Sequence, residues 1–253
     1  MNGSLSPAVR IGAWSMLGTP AAASLMARVG ADWLALDAQH GLYDDAALIA
    51  AVPAADPVPV RVRVAENNAA LIGRALDAGA SGVIVPMVQT AAQAAAAAAA
   101  CRYAPRGIRS WGPLAAYRGE TPVPPEQADA AVSCAVMVET ADALADVEAI
   151  AAVAGVDEVF VGPFDLAIAL GVSVSDLLAD DRPGNPLTTV VDACRRAGTL
   201  AGAFAGSIEA ARTLAARGFT SLAVAVDTQL IAAAGAATVT QARRSASAAE
   251  GTA

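Results

Sequence analysis

Eight times along this chain a short apolar run with strand character is followed by a stretch of helical composition, with glycine at many of the joints. That alternation limits the fold more than any other feature, because parallel strands are joined by long crossovers, usually helices. Strands are predicted at 10–16, 33–37, 58–64, 82–87, 134–139, 158–163, 200–205 and 221–227. Helices are predicted at 19–29, 44–52, 67–78, 90–102 and 141–154, from 165 onward, up to 197, and at 207–217 and 230–244. Thr19 followed by Pro20 reads as an N-cap and first helical residue, and Gly30, Gly79 and Gly218 read as helix stops.

Eight such units in 253 residues, with no break in composition, are the count and length of a single (β/α)8 TIM barrel covering 1–253. Disordered ends are expected at about 1–8 and 245–253, where the chain is small and polar. A doubly wound open sheet shares the alternation, but no glycine-rich phosphate fingerprint supports one. Residues 103–125, with five prolines, form the longest irregular segment, and such a loop in a compact domain is usually functional or mobile.

Composition removes several function classes. The residues are 56% hydrophobic but only 4% aromatic, so alanine supplies much of the apolar count, and no run approaches the roughly 18 residues of a spanning helix. Residues 1–10 are polar and lack an apolar signal core, so a soluble, cytoplasmic protein without membrane partners is expected. The net charge is −8 and the sixteen basic residues are scattered, which argues against nucleic acid as a partner. Cys101, Cys134 and Cys194 form no C-x-x-C pair and read as buried reduced thiols. All sixteen basic residues are arginine, so Schiff-base catalysis by a lysine amine is closed to this chain.

In a barrel of this kind, chemistry sits at the C-terminal ends of the strands. The polar residues predicted there are Asp37 and His40 after strand two, Arg63 on strand three, Glu139 on strand five and Asp165 after strand six. Two carboxylates with no second histidine and no cysteine beside them suit a hard divalent ion, Mg2+ or Mn2+, better than zinc. Each also has a purely structural reading, Glu139 as a helix-start acid and Asp165 as an N-cap. Asp37, three positions before the only histidine, can take the Nδ1 proton of His40 and leave Nε2 free as a base. Arg61 and Arg63 share one strand face; either can pair with an acid inside the barrel, and Arg63, nearer the strand end, is the better candidate for an oxyanion or a substrate carboxylate.

With these residues collected, the chain resembles the HpcH/HpaI aldolase family, the metal-dependent class II pyruvate aldolases. The likeness is carried by Gly12-Ala13-Trp14, Asp32 through His40, Val62-Arg63, Val85-Pro86-Met87-Val88, Tyr103 through Arg109, Val138-Glu139-Thr140, Phe160 through Leu166 and Val226-Asp227-Thr228. The resemblance implies a barrel of the phosphoenolpyruvate/pyruvate type in which Glu139 and Asp165 hold Mg2+ or Mn2+, with Co2+ as a further option. It implies that pyruvate chelates this metal, that His40 with Asp37 moves protons by way of a water on it, and that Arg63 stabilises the pyruvate enolate. Backbone around Gly162, Pro163, Phe164 and Asp165 would face the pyruvate carboxylate, while Trp14 and Phe204 shape the pocket. Gln39 stands where the better-known members have glutamate, Met137 where glutamine can occur, Phe164 where alanine is common and Ala225 where glycine is common.

The expected reaction is reversible cleavage of a 2-keto-4-hydroxy acid to pyruvate, or another 2-keto acid, and an aldehyde. The resemblance also implies a homo-oligomer, often a hexamer, and Leu230, Ile231 and Val239 of the last helix could pack on a neighbouring subunit. Two alternatives remain at this stage: a citrate-lyase-β-like lyase acting on a keto acid or thioester, and a barrel that binds a keto acid without turning it over.

Overall fold

Runs such as Trp33-Leu34-Ala35-Leu36 are apolar on both faces, which suits strands buried between a barrel interior and an outer layer of helices. The structure, a computed structural model, describes residues 9–250. The first half comprises β1 (Arg10–Ser15), α1 (Pro20–Met26), β2 (Trp33–Asp37), α2 (Asp45–Ala54), β3 (Val60–Arg63), α3 (Ala69–Asp77), β4 (Gly82–Val85) and α4 (Ala91–Ala100). A 3-10 turn at Leu114–Arg118 then leads to α5 (Pro125–Ala131), β5 (Ser133–Val138), α6 (Ala141–Ala145), α7 (Val147–Ala151) and β6 (Glu158–Val161). The chain finishes with α8 (Pro163–Leu170), α9 (Val174–Ala179), α10 (Pro186–Ala197), β7 (Leu200–Phe204), α11 (Ile208–Arg217), β8 (Ser221–Val226) and α12 (Asp227–Glu250). The strands pair in sequence order, all parallel, and β8 returns to β1, closing an eight-stranded (β/α)8 barrel.

Local signals set the helix starts. Side chains of Thr19, Asp44, Asn68, Thr90, Thr140 and Ser207 each accept a backbone N–H from the first turn of the helix that follows. Beyond shifts of a few residues at element ends and helical pieces between 103 and 186, three departures from the sequence reading stand out. The stretch predicted as one helix over 141–154 is split at Asp146, whose carboxylate accepts the N–H of Ala91 at 2.8 Å. Residues 103–125 return the chain to the N-terminal end of β5, opposite the strand ends where chemistry was sought. The segment expected to be disordered from 245 continues as helix to Glu250, because its alanine-rich, proline-free sequence favours helix; 1–8 and 251–253 lie outside the described residues.

Inside the barrel, Trp14, Trp33, Ile84, Met137 and Phe160 form a buried apolar layer. Gly12 makes room for it, since a Cβ there would lie 2.2 Å from the Trp33 ring. Beside it Arg61 donates to Glu158 at 2.6 Å and stacks over Trp33, so Arg61 is spent on an internal ion pair. The aromatic layer floors the C-terminal mouth of the barrel, and Arg63 sits on the mouth side with its guanidinium over the ring of Trp14.

Among the described residues no helix is long and apolar enough to cross a membrane. From Thr228 to Ser247 every residue of α12 is exposed, Leu230, Ile231 and Val239 among them.

Candidate active site

At the mouth of the barrel a cavity of about 160 Å3 is lined by Trp14, Met16, Asp37, His40, Arg63, Met137, Gly162, Pro163, Phe164, Asp165 and Phe204. Residues from β1, β2, β3, β5, β6 and β7, or the loops that follow them, thus meet at one point. A larger hollow of about 430 Å3 beside α9 holds none of these groups, and its Arg182 and Asp180 pair with each other at 2.7 Å.

Asp37 is the hub. Its buried carboxylate accepts Nε of Arg63 at 2.9 Å, Nη2 of Arg63, Nε1 of Trp14 at 3.2 Å, and the backbone N–H groups of Gln39 at 3.0 Å and His40 at 3.1 Å. Burial alone pushes its pKa up, but the hydrogen bonds and charge of Arg63, with the His40 backbone and Trp14, hold it below the ordinary carboxylate value. This corrects the expected dyad: Asp37 holds the backbone N–H of His40, not the imidazole. A short side chain at the start of a tight turn reaches the amides two and three residues on, and Arg63, directly across the strand pair, takes the rest of the carboxylate. His40 is exposed at the rim of the cavity.

Glu139, the first residue after β5, is buried, and its Oε1 accepts the N–H of Met87 at 2.7 Å. That contact is made by backbone at Met87 in the left-handed region, φ 55°. Gly162 leaves space above the other oxygen, since a Cβ there would lie 2.7 Å from Oε2. Burial raises the Glu139 pKa, the Met87 N–H opposes this, and the negative charge of Asp165 adds to the rise. Asp165 itself is exposed in the first turn of α8, whose N-cap is Gly162, so it is not the N-cap considered from sequence. Two carboxylates brought to one place in this way are a natural seat for a divalent cation. Among the described residues no group of three His, Cys, Asp or Glu side chains is placed to hold a metal, so two carboxylates would leave the remaining positions to water and substrate, as Mg2+ accepts.

Gln39 is not among the residues lining the cavity; it is half-buried with Oε1 lacking a hydrogen-bond partner, and its backbone N–H is given to Asp37. Sequence reasoning missed Met16 and the clamp behind it. Asp227, buried at the start of α12, accepts the Ser15 hydroxyl at 2.7 Å and the N–H groups of Met16 at 2.9 Å and Leu17 at 3.2 Å. Tyr43 shares a hydrogen bond with Ser15 at 2.7 Å, tying the loops after β1 and β2 together. The signal for Met16 was its place two residues beyond Trp14, on the same strand face.

A closed parallel barrel that collects an arginine, a histidine and a carboxylate pair at the C-terminal ends of its strands defines a barrel enzyme. Within that class, the chain belongs to the HpcH/HpaI aldolase/citrate lyase family, whose profile matches residues 10–234. It is 39% identical over 240 residues to a hydroxypyruvate/pyruvate aldolase of Pseudomonas aeruginosa, covering 88% of this chain and 84% of the relative. A 4-hydroxy-2-oxovalerate aldolase of Rhodococcus jostii (strain RHA1) is 38% identical over 235 residues, covering 88% of this chain and 87% of the relative. The solved structure of an HpcH/HpaI aldolase/citrate lyase family protein from Burkholderia cenocepacia J2315 superposes with a TM-score of 0.83 at 32% identity, over 93% of this chain and 95% of that one.

Proposed function

We propose that this chain is a divalent-metal-dependent pyruvate aldolase that reversibly cleaves a 2-keto-4-hydroxy acid to pyruvate and an aldehyde. The observation that carries the reading is the placement of two carboxylates, Asp165 in the lining of the cavity of His40 and Arg63 and buried Glu139 against Gly162 of the same lining. Cleavage next to a ketone leaves negative charge on the keto oxygen, and a chain without lysine cannot absorb it in a Schiff base. Glu139 and Asp165 would hold Mg2+ or Mn2+, and their oxygen donors accept Co2+ as well. When bound, the ion supplies positive charge against that developing oxyanion.

The protein's own groups divide the remaining work. His40, exposed at the rim, takes the proton from the 4-hydroxyl during cleavage and returns one to the aldehyde oxygen during addition. Arg63, its guanidinium oriented by Asp37 and by the Trp14 ring, presents positive charge to the enolate oxygen. The first turn of α8 has no intrahelical partners for its N–H groups, so those of Phe164 and Asp165 face the pyruvate carboxylate, and Pro163 contributes shape alone. Trp14, Phe204, Phe164 and Gly162 wall the cavity, while Gln39 takes no part in holding substrate.

The partners are therefore small molecules, a 2-keto acid and an aldehyde. The unpacked α12, with Leu230, Ile231 and Val239 exposed, supports a homo-oligomer in which this helix packs on another copy, a hexamer being the expected size. The citrate-lyase-like alternative shares the family, but the site favours it less, since Arg63, the one arginine among the described residues lining the cavity, is held by Asp37. The test is a retro-aldol screen over several 2-keto-4-hydroxy acids with Mg2+, Mn2+ or EDTA. Pyruvate release that needs added metal is expected, and full turnover after verified metal removal would overturn the reading.

A further inference from the structure

Behind Phe164 and Phe204 lies a second cleft, of about 190 Å3. It shares Pro163, Phe164 and Phe204 with the cavity of His40 and Arg63, and continues to Leu178 of α9, Ala210 of α11 and Gln229 of α12. The two rings of the shared wall differ in freedom. Phe204 is wedged edge-on against Trp14, centroids 5.2 Å apart, and at Gly206 a Cβ would come within 3.0 Å of its ring. Phe164 is 57% exposed in the first turn of α8, so it is the less tightly packed part of the partition. Among the described residues none that lines the second cleft is charged; its polar side chains are those of Ser207, the N-cap of α11, and Gln229.

Size makes the second space relevant to the reaction. The cavity of about 160 Å3 has to take the whole keto acid as well as the carbonyl of the aldehyde. A longer aldehyde must place the rest of its chain elsewhere. We propose that the cleft behind Phe164 is the subsite for that chain, and that it selects neutral, apolar aldehydes over those ending in a carboxylate or phosphate. The proposal rests on the aldolase reading above. Its physical basis is a lining without a charged side chain among the described residues, in which an anion would lose hydration and gain no cationic partner. Each methylene moved from water into such a cleft favours binding by about fourfold.

The test measures kcat/KM for addition of pyruvate, with Mn2+, to acetaldehyde, propanal, butanal and pentanal, and to succinic semialdehyde as the carboxylate-bearing competitor. The wild type should gain about three- to fourfold per methylene from acetaldehyde to pentanal. Succinic semialdehyde should fall below butanal. Ala210→Leu fills the cleft from α11 and should lower the pentanal to acetaldehyde ratio by about tenfold or more. Leu178→Phe fills it from α9 and serves as the second variant if the first does not fold. Ala210→Arg should shift preference toward succinic semialdehyde. A flat series in the wild type, or a series unchanged in both filled variants, overturns the subsite and leaves the aldolase reading standing. No reaction with any aldehyde, acetaldehyde included, overturns the aldolase reading and the subsite with it.

Discussion

Asp37 and Arg63 occupy paired positions on adjacent parallel strands, and Nε of Arg63 donates to Oδ1 of Asp37 at 2.9 Å at the floor of the cavity. Asp37 is fully buried and the Arg63 side chain nearly so, which places the pair among ion pairs that are costly to break from one side. Asp37→Ala should therefore destabilise the fold by about 3–5 kcal/mol in urea unfolding. Arg63→Lys, which keeps the charge but loses the planar fork, should leave kcat/KM for pyruvate release at least about tenfold below wild type. Near wild-type turnover in Arg63→Lys would show that the fork is not needed.

The same pair sets an acid limit on stability. The folded-state pKa of Asp37 is depressed below its ordinary value of 3.8, so its contribution is fully present above that value and is lost as pH falls through the folded one. The urea midpoint of the wild type should fall between pH 5 and pH 3, and that of Asp37→Asn should fall less. Parallel declines in the two proteins would assign the acid sensitivity to other groups.

His40 is the only histidine in the chain, and it stands exposed at the rim. His40→Ala should lower kcat by roughly 10²–10⁴-fold with little change in thermal stability, since no buried contact is removed. Retention of wild-type kcat would remove His40 from the proton-transfer role.

Gly162 tests the carboxylate seat without touching a carboxylate. In Gly162→Ala the new Cβ would meet Oε2 of Glu139 at 2.7 Å and the Met137 methyl at 3.2 Å. The wild-type Tm should rise on adding Mn2+, by the amount mass action allows for a ligand bound only to the folded state. The rise should be reduced or absent in Gly162→Ala, with activity lost in parallel. An undiminished Mn2+ shift would mean that Glu139 is not a ligand.

Asp227 touches no proposed substrate atom yet holds the Met16 wall through the hydroxyl of Ser15 and three backbone N–H groups, those of Met16, Leu17 and Thr228. Asp227→Ala leaves the buried Ser15 hydroxyl and these part-buried backbone donors unpaired and should cost about 2–4 kcal/mol, several unmet donors at about 1–3 each being partly rescued by water. A positioning role predicts a KM for the keto acid raised severalfold with a smaller change in kcat. An unchanged KM would confine Asp227 to stability.

The alternation of apolar runs and helical stretches determined the barrel, because period and helix caps are short-range properties written in neighbouring residues. Thr19 acts as the N-cap that its place before Pro20 predicts, Asp44, Thr90 and Ser207 stand at the helix starts where the sequence put them, and Trp33 to Asp37 is a strand at the predicted bounds. The same reading reached the polar residues at the strand ends, since in a parallel barrel all such ends point one way. Which donor each carboxylate accepts was decided by the tertiary structure. Asp37 is three residues from His40, but its side-chain partner is Arg63, 26 residues away, because closing the barrel sets those two positions side by side. Ser15 and Asp227, 212 residues apart, meet for the same reason, as β1 pairs with β8. Local pattern fixes where a side chain leaves the backbone, whereas strand register across the closed sheet fixes what it meets.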